Sequence, residues 1–196
     1  MKQDSTPKLS VGFAFCGSFC TIKSAIEAMK TLLDQYRVTP IFSEAVQNTN
    51  TRFGKAEAIM QEIENLCQTP AIKSVVEAEQ IGPKKLFDLL VIAPCTGNTL
   101  TKLSLGIIDA TVPMAAKAHL RNGRPLLLAL ASNDALSVGL RHIGALTLRK
   151  NVFFVPFGQD DPFGKPTSLI ADFSKISDAA LSALENKQLQ PMLIKT

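Results

Sequence analysis

The stretch "VIAPCTGNTLTKLSLGIID", Val91 to Asp109, decides the fold. It opens as a continuous apolar run, breaks at Pro94, collects small polar side chains and then takes a helical spacing. An apolar run of that kind is a parallel strand covered on both faces. A cluster such as Pro-Cys-Thr-Gly-Asn-Thr at the carboxyl end of a strand offers hydroxyls, amides and free helix N–H groups. In open α/β sheets that is where ligands bind.

Working outward, "DLLVIA" (88–93) completes the strand, and helical patterns cover 97–105 and 110–121. Upstream, "LSVGFAF" (9–15) reads as a second central strand, followed by a helix over 21–36. "VTPIF" (38–42) is a strand that Pro40 makes irregular or less central. A helix over 54–67 and a short edge strand "AIKSVV" (71–76) follow. Downstream come a strand at 124–131, a helix at 134–148, a last strand at 151–156 and a closing helix near 172–186. The alternation predicts an α/β protein with a doubly wound parallel sheet, Rossmann-like and three-layered. The chain of 196 residues is expected to form one domain, with 1–8 as a flexible N-terminus.

Composition narrows the function. The net charge is only +4 and the basic residues are scattered, with "KK" (84–85) and "RK" (149–150) too short for a nucleic-acid footprint. The run "LLLALA" (126–131) is far below the roughly 20 residues that cross a bilayer. The polar start "MKQDSTPK" has no apolar segment behind it, so a cytoplasmic protein is expected. Cys16, Cys20, Cys67 and Cys95 form no C-x-x-C pair, and neither a disulfide framework nor a metal site is expected.

The site is expected where "CGSFCT" (16–21) and "PCTGNT" (94–99) meet beyond their strands. Gly17 permits close backbone approach, and Ser18 and Thr21 offer hydroxyls before a helix N-terminus, a combination that suits a phosphate. There is no G-x-G-x-x-G, and "FGKPTS" (163–168) lacks the first glycine of a Walker loop. Three readings stay open: a mononucleotide phosphate site, a dinucleotide site with Glu44 as the ribose acid, or a plain turn at Gly17-Ser18. His119 and His142 lie in helical patterns and read as structural; Cys95 is weighed as a thiolate base against a packing role.

The two loops together resemble the flavoprotein superfamily of cysteine decarboxylases and flavin prenyltransferases. Pro94, Thr96, Asn98, Thr99, Gly106 and Asp109 match its motif, while Cys95 and Gly97 replace alanines. The segments "EQIGPKKLFDLLVIAPCTGNTLTKLSLGI", "MAAKAHLRNGRP" and "NVFFVPFGQDDPFGKP" are similar, more narrowly, to the family of dipicolinate synthase B subunits of spore-forming bacteria. This resemblance implies a flavin mononucleotide (FMN) site between protomers of a homo-oligomer, a trimer or a multiple of one. Gly17, Ser18 and Ser43 would hold the phosphate, Thr96 and Asn98 would lie near the isoalloxazine or the substrate, and Pro94 and Cys95 would belong to the same cofactor site. Asn133, Phe163 and Lys165 would contact a substrate, and "ATVPMAAKAHL" (110–120) would build protomer contacts.

It also implies oxidation of dihydrodipicolinate to dipicolinate, with NADP carried by a partner, the A subunit of dipicolinate synthase, in the mother cell of a sporulating bacterium. One position departs: where the decarboxylases carry a histidine before the motif strand, this chain has Gln80. An independent FMN-dependent decarboxylase or prenyltransferase, and a non-catalytic assembly protein, are the alternatives.

Overall fold

The computed structural model describes residues 8–195, so residues 1–7 of the expected flexible N-terminus lie outside the described part. Strand β1 (Ser10–Phe15) leads through a 3-10 turn at Phe19–Thr21 into helix α1 (Ile22–Leu33). Strand β2 (Arg37–Phe42) turns into the short helix α2 (Glu44–Asn48), which Ser43 caps, and α3 (Ala56–Cys67) follows. Two short helices, α4 (Val75–Glu79) and α5 (Ile81–Lys84), replace most of the expected edge strand. Only the bridge Ile41–Ile72 survives of it. The reason is a capping box: the Ser74 side chain accepts from the Glu77 N–H while the Glu77 carboxylate accepts from the Ser74 N–H.

The central run gives β3 (Leu89–Cys95), α6 (Gly97–Leu105) and α7 (Thr111–Leu120), close to the boundaries expected. Strand β4 (Leu126–Ser132) is followed by turns, and helix α8 begins only at Leu140, ending at Thr147. The last parallel strand, β5, is confined to Val152–Phe154, and two short strands unread in the sequence, β6 (Phe157–Gly158) and β7 (Leu169–Ala171), come next. A second 3-10 turn opens α9 (Ile176–Leu184).

The sheet is mixed rather than wholly parallel. Its order is β2-β1-β3-β4-β7-β6, with β5 beside β4. The first five strands pair in parallel. Near its carboxyl end β4 pairs antiparallel with β7, and β7 with β6. Pro40 sits on the outermost parallel strand, as its missing N–H requires. β1 and β3 are adjacent, and the chain leaves them in opposite directions, so the topological switch point falls between them.

Both central strands are buried along nearly their whole length. Gly12 is needed inside β1 because a Cβ there would lie 2.6 Å from the Phe87 ring. Helix α7 is apolar for an internal reason: Val112, Ala115, Ala116 and Ala118 are buried against the chain's own core. Its small side chains allow close packing on the sheet, so much of the apolar character of 110–120 is used inside the chain. At the free edge of β5 the Gln188 amide takes both backbone groups of one residue. Its Oε1 accepts from the Phe154 N–H at 2.8 Å and its Nε2 donates to the Phe154 carbonyl at 2.7 Å.

Candidate functional site

A cavity of about 480 Å³ opens beyond the carboxyl ends of β1, β2 and β3. That volume lies within the range of small-molecule and cofactor sites. Cys16 and Gly17 wall it after β1, Ser43, Glu44 and Ala45 after β2, and Thr96, Asn98, Thr99 and Lys102 along α6. Asp109, Ala110, Val112 and Pro113 close it at the start of α7. The two loops predicted to meet do meet, and the start of α7 joins them.

Each wall has a local cause. Thr96 is the N-cap of α6: its hydroxyl accepts from the Thr99 N–H at 3.3 Å and donates to the Thr99 hydroxyl at 3.1 Å. Thr99 in turn donates to the Cys16 sulfur at 3.3 Å, which ties the end of β1 to α6. Gly17 touches the start of α2, where a Cβ at position 17 would lie 2.9 Å from that of Ala45. The backbone N–H groups of Gly17, Glu44 and Ala45 have no acceptor among the described residues. Unpaired donors at a glycine turn and a helix start are what an anionic group requires.

The charged groups of the cavity are committed to partners. Glu44 Oε1 accepts from both the Thr111 N–H and the Thr111 hydroxyl, each at 2.8 Å. Its carboxylate therefore caps α7, which corrects the reading of Glu44 as an acid held for a ribose. Lys102 Nζ lies 2.7 Å from Asp109 Oδ1, and this ammonium hydrogen bond holds the Asp109 carboxyl below its usual range. Burial pushes the Cys16 thiol up to about 11, against the opposing hydrogen bond from Thr99. Cys95 is driven well above its ordinary value, first by burial and then by neighbouring Cys16. Both remain protonated thiols near neutral pH, so packing, not base chemistry, accounts for Cys95.

The residues proposed from the sequence divide into three groups. Gly17, Ser43, Thr96 and Asn98 line the cavity. Pro94 and Cys95 stand behind it, buried in β3, and the Ser18 hydroxyl is held at the edge, accepting from Thr21 Oγ1 at 2.9 Å. Asn133, Phe163 and Lys165 do not face this cavity. Asn133 is exposed, the Phe163 side chain is 98% exposed, and Lys165 pairs with Asp160 at 3.3 Å. Thr167 Oγ1 donates to the Asn133 carbonyl at 2.7 Å, so these three belong to one tethered rim.

Ala45, Lys102 and the Val112-Pro113 step were missed. Lys102 was legible, since it follows Asn98 by one helical turn and shares its face. His119 is buried against the Pro125 carbonyl at 2.9 Å, and burial lowers it to about 4. His142 bonds Ser104 at 3.1 Å. Neither lines the cavity, and neither does Gln80. Among the described residues no cluster of three or more His, Cys, Asp or Glu could hold a metal, and no helix is long and apolar enough to cross a membrane.

A sheet whose switch point carries a glycine turn, a capped helix and unpaired N–H donors is the scaffold of a ligand-binding doubly wound α/β protein. The family described as Flavoprotein matches residues 1–184, and the chain belongs to it. The B subunit of dipicolinate synthase from Bacillus subtilis (strain 168) is 42% identical over 186 residues, 94% of this chain and 93% of that protein. The crystal structure of the dipicolinate synthase B subunit from Bacillus halodurans C superposes with a TM-score of 0.89 at 39% identity, covering 97% of this chain and 98% of that one. The FMN binding protein AtHal3 matches with a TM-score of 0.67 at 18% identity, over 93% of this chain and 100% of that one. At that identity the likeness is one of fold.

Proposed function

We propose that this chain is the flavoprotein-fold subunit of a dipicolinate synthase, working with an NADP-binding A subunit to oxidise dihydrodipicolinate to dipicolinate. The observation that carries the reading is the cavity's chemistry, set beside 42% identity to a B subunit over 94% of the chain. It has unpaired N–H donors, hydroxyls and an amide, but no side chain free to exchange a proton near neutral pH. Such a site binds and orients an anion. It does not by itself run the proton transfers of a decarboxylase, which is the role the histidine replaced by Gln80 would serve.

The residues present fit an FMN phosphate. The N–H groups of Gly17, Glu44 and Ala45 with the Ser43 hydroxyl would hold it, and bound flavin would supply a two-electron acceptor. The Asn98 amide would orient the dicarboxylate by hydrogen bonds, and Lys102 would add charge by exchanging its Asp109 partner for a substrate carboxylate. The ring is aromatised by loss of a hydride, which NADP+ on the A subunit would take because this chain has no dinucleotide fingerprint, and of a proton, which would leave to solvent. A homo-oligomer, a trimer or a multiple of one, would bring the rim carrying Asn133, Phe163 and Lys165 over the cavity of a neighbouring copy. The setting is the mother-cell cytoplasm of a sporulating bacterium.

The test is formation of the aromatic product, followed by its ultraviolet absorbance, with each of the two proteins alone and with both together. Turnover is expected only with both. Full turnover by this chain alone would overturn the division of labour, and full turnover by its NADP-binding partner alone would leave this chain a scaffold. A flavin spectrum that persists through gel filtration supports the cofactor; its absence under saturating FMN removes it.

A further inference from the structure

The cavity at the switch point is the first of three connected depressions. It shares Lys102 and Pro113 with a small hollow below it, and that hollow shares Leu120 and Arg149 with a cleft of about 840 Å³. The chain of hollows follows α7 from the candidate site to the far edge of the sheet, between the ends of α6 and α8. Its charge is one-sided. Lys117, Arg121, Arg149 and Lys150 line it, and among the described residues none has a carboxylate within 4.0 Å. Between these cations stand exposed apolar side chains, Ile107 at 41% and Leu148 at 89%. The pair 149–150, too short a footprint in the sequence, is joined by Lys117 and Arg121 because the ends of α7 and α8 border the same hollows.

We propose that this groove is the docking surface for the NADP-binding subunit, whose matching face carries carboxylates around an apolar centre. The inference rests on the two-subunit reading above. An apolar middle with a charged rim is the anatomy of a protein interface. A twofold contact with a second copy is disfavoured by charge, because a self-complementary contact would set these cations against themselves, and the head-to-tail contact of a trimer is left as an outcome of the test. Nucleic acid fits less well, since the net charge is only +4 and the exposed groups between the cations are aliphatic. The groove leads to the Lys102–Asp109 pair at the cavity mouth, so a partner seated here delivers its own groups beside the candidate site.

The experiment uses calorimetry to measure association with the purified A subunit, at low and raised salt, for the wild type and three variants. Lys117→Glu with Arg121→Glu reverses charge in the groove, Leu148→Ser removes the exposed apolar group, and Lys23→Glu, on α1 across the sheet, is the control. The groove variants should bind at least about tenfold more weakly, with the wild-type affinity falling as salt rises. The control should bind as wild type does, and circular dichroism and FMN titration should be unchanged in all. Undiminished affinity in both groove variants overturns the docking site while leaving the two-subunit reading intact. No association of the wild type with the A subunit, together with no joint turnover, overturns both. Groove variants that dissociate a homo-oligomer, or that lose binding to duplex DNA, while keeping the NADP-binding partner would assign the face to those occupants instead.

Discussion

Gly17 shows how much one hydrogen atom in place of a side chain decides. Its backbone lies against Ala45, and its N–H is one of three donors without a protein acceptor. Gly17→Val should weaken FMN binding by tenfold or more, about 1.4 kcal/mol, as read by calorimetry. Adding Ala45→Gly relieves the packing conflict at 2.9 Å but not the obstruction of the N–H. The double variant should regain thermal stability without regaining the ligand; recovery of both would place the anion elsewhere. The cysteines give a second prediction at this scale. Cys16 and Cys95 are buried and held as thiols, whereas Cys20 is exposed. Alkylation at pH 7.0 to 8.0, about the neutral range in which an ordinary thiol is partly ionised, should label Cys20 first and leave Cys16 and Cys95 unmodified by mass spectrometry. Rapid labelling of Cys95 would reopen its role as a base. Gly17 was legible because a glycine before a helix start fits an anion site, whereas Ser43, Thr96 and Asn98 were reached through the family resemblance. The burial of Cys95 was not, because adjacency to a loop does not reveal which way a strand side chain points.

Among the elements, α2 and α7 are joined by a single carboxylate. Glu44 leaves one helix start and satisfies the N–H and hydroxyl at the start of the other, and an anion there also meets the favourable end of the α7 dipole. Glu44→Ala should cost about 1–2 kcal/mol in urea denaturation, the range of a lost cap. Glu44→Gln keeps an acceptor but not the charge, and should cost about half a kcal/mol. Equal losses in both would mean that the charge is the whole effect. This bridge spans 67 positions in the chain and had no local signal. The core helices and parallel strands did, since apolar spacing fixes their period. The capping box at Ser74 and Glu77 was also written in the sequence, but the β-branched run Val75-Val76 masked it. β6 and β7 are two and three residues long, too short to carry a period.

For the molecule as a whole, acid is the condition to which this packing is most exposed. His119 is buried between α7 and the start of β4, and burial lowers its pKa from 6.5 to about 4. The folded state thus prefers the neutral imidazole more strongly than the unfolded chain does. The stabilisation is complete above pH 6.5 and is lost as pH falls towards about 4. Its size is about 3 kcal/mol. The urea midpoint should therefore drop across that window, and His119→Gln should flatten the drop. A wild-type midpoint constant over the window would show that the ring stays solvated. The fold class and the switch point came directly from the order of strands and helices. The groove along α7 did not, because its cations come from two segments that only packing brings into line.

The Gln188 amide at the margin of β5 has a further consequence. A terminal strand with bare N–H and carbonyl groups is a template on which a foreign chain can crystallise into cross-β structure. Here a single side chain counterfeits the missing neighbour, filling the donor and acceptor of Phe154 as an incoming strand would. The molecule thereby closes its sheet without a whole extra strand, and keeps a sticky margin silent while the chain is crowded with its kin. Gln188→Leu has similar bulk but cannot complete the counterfeit. It should leave the spectrum of the fresh protein unchanged, yet raise light scattering and thioflavin fluorescence on prolonged concentration. If the variant stays as clear as the wild type, the edge is shielded by something other than this amide.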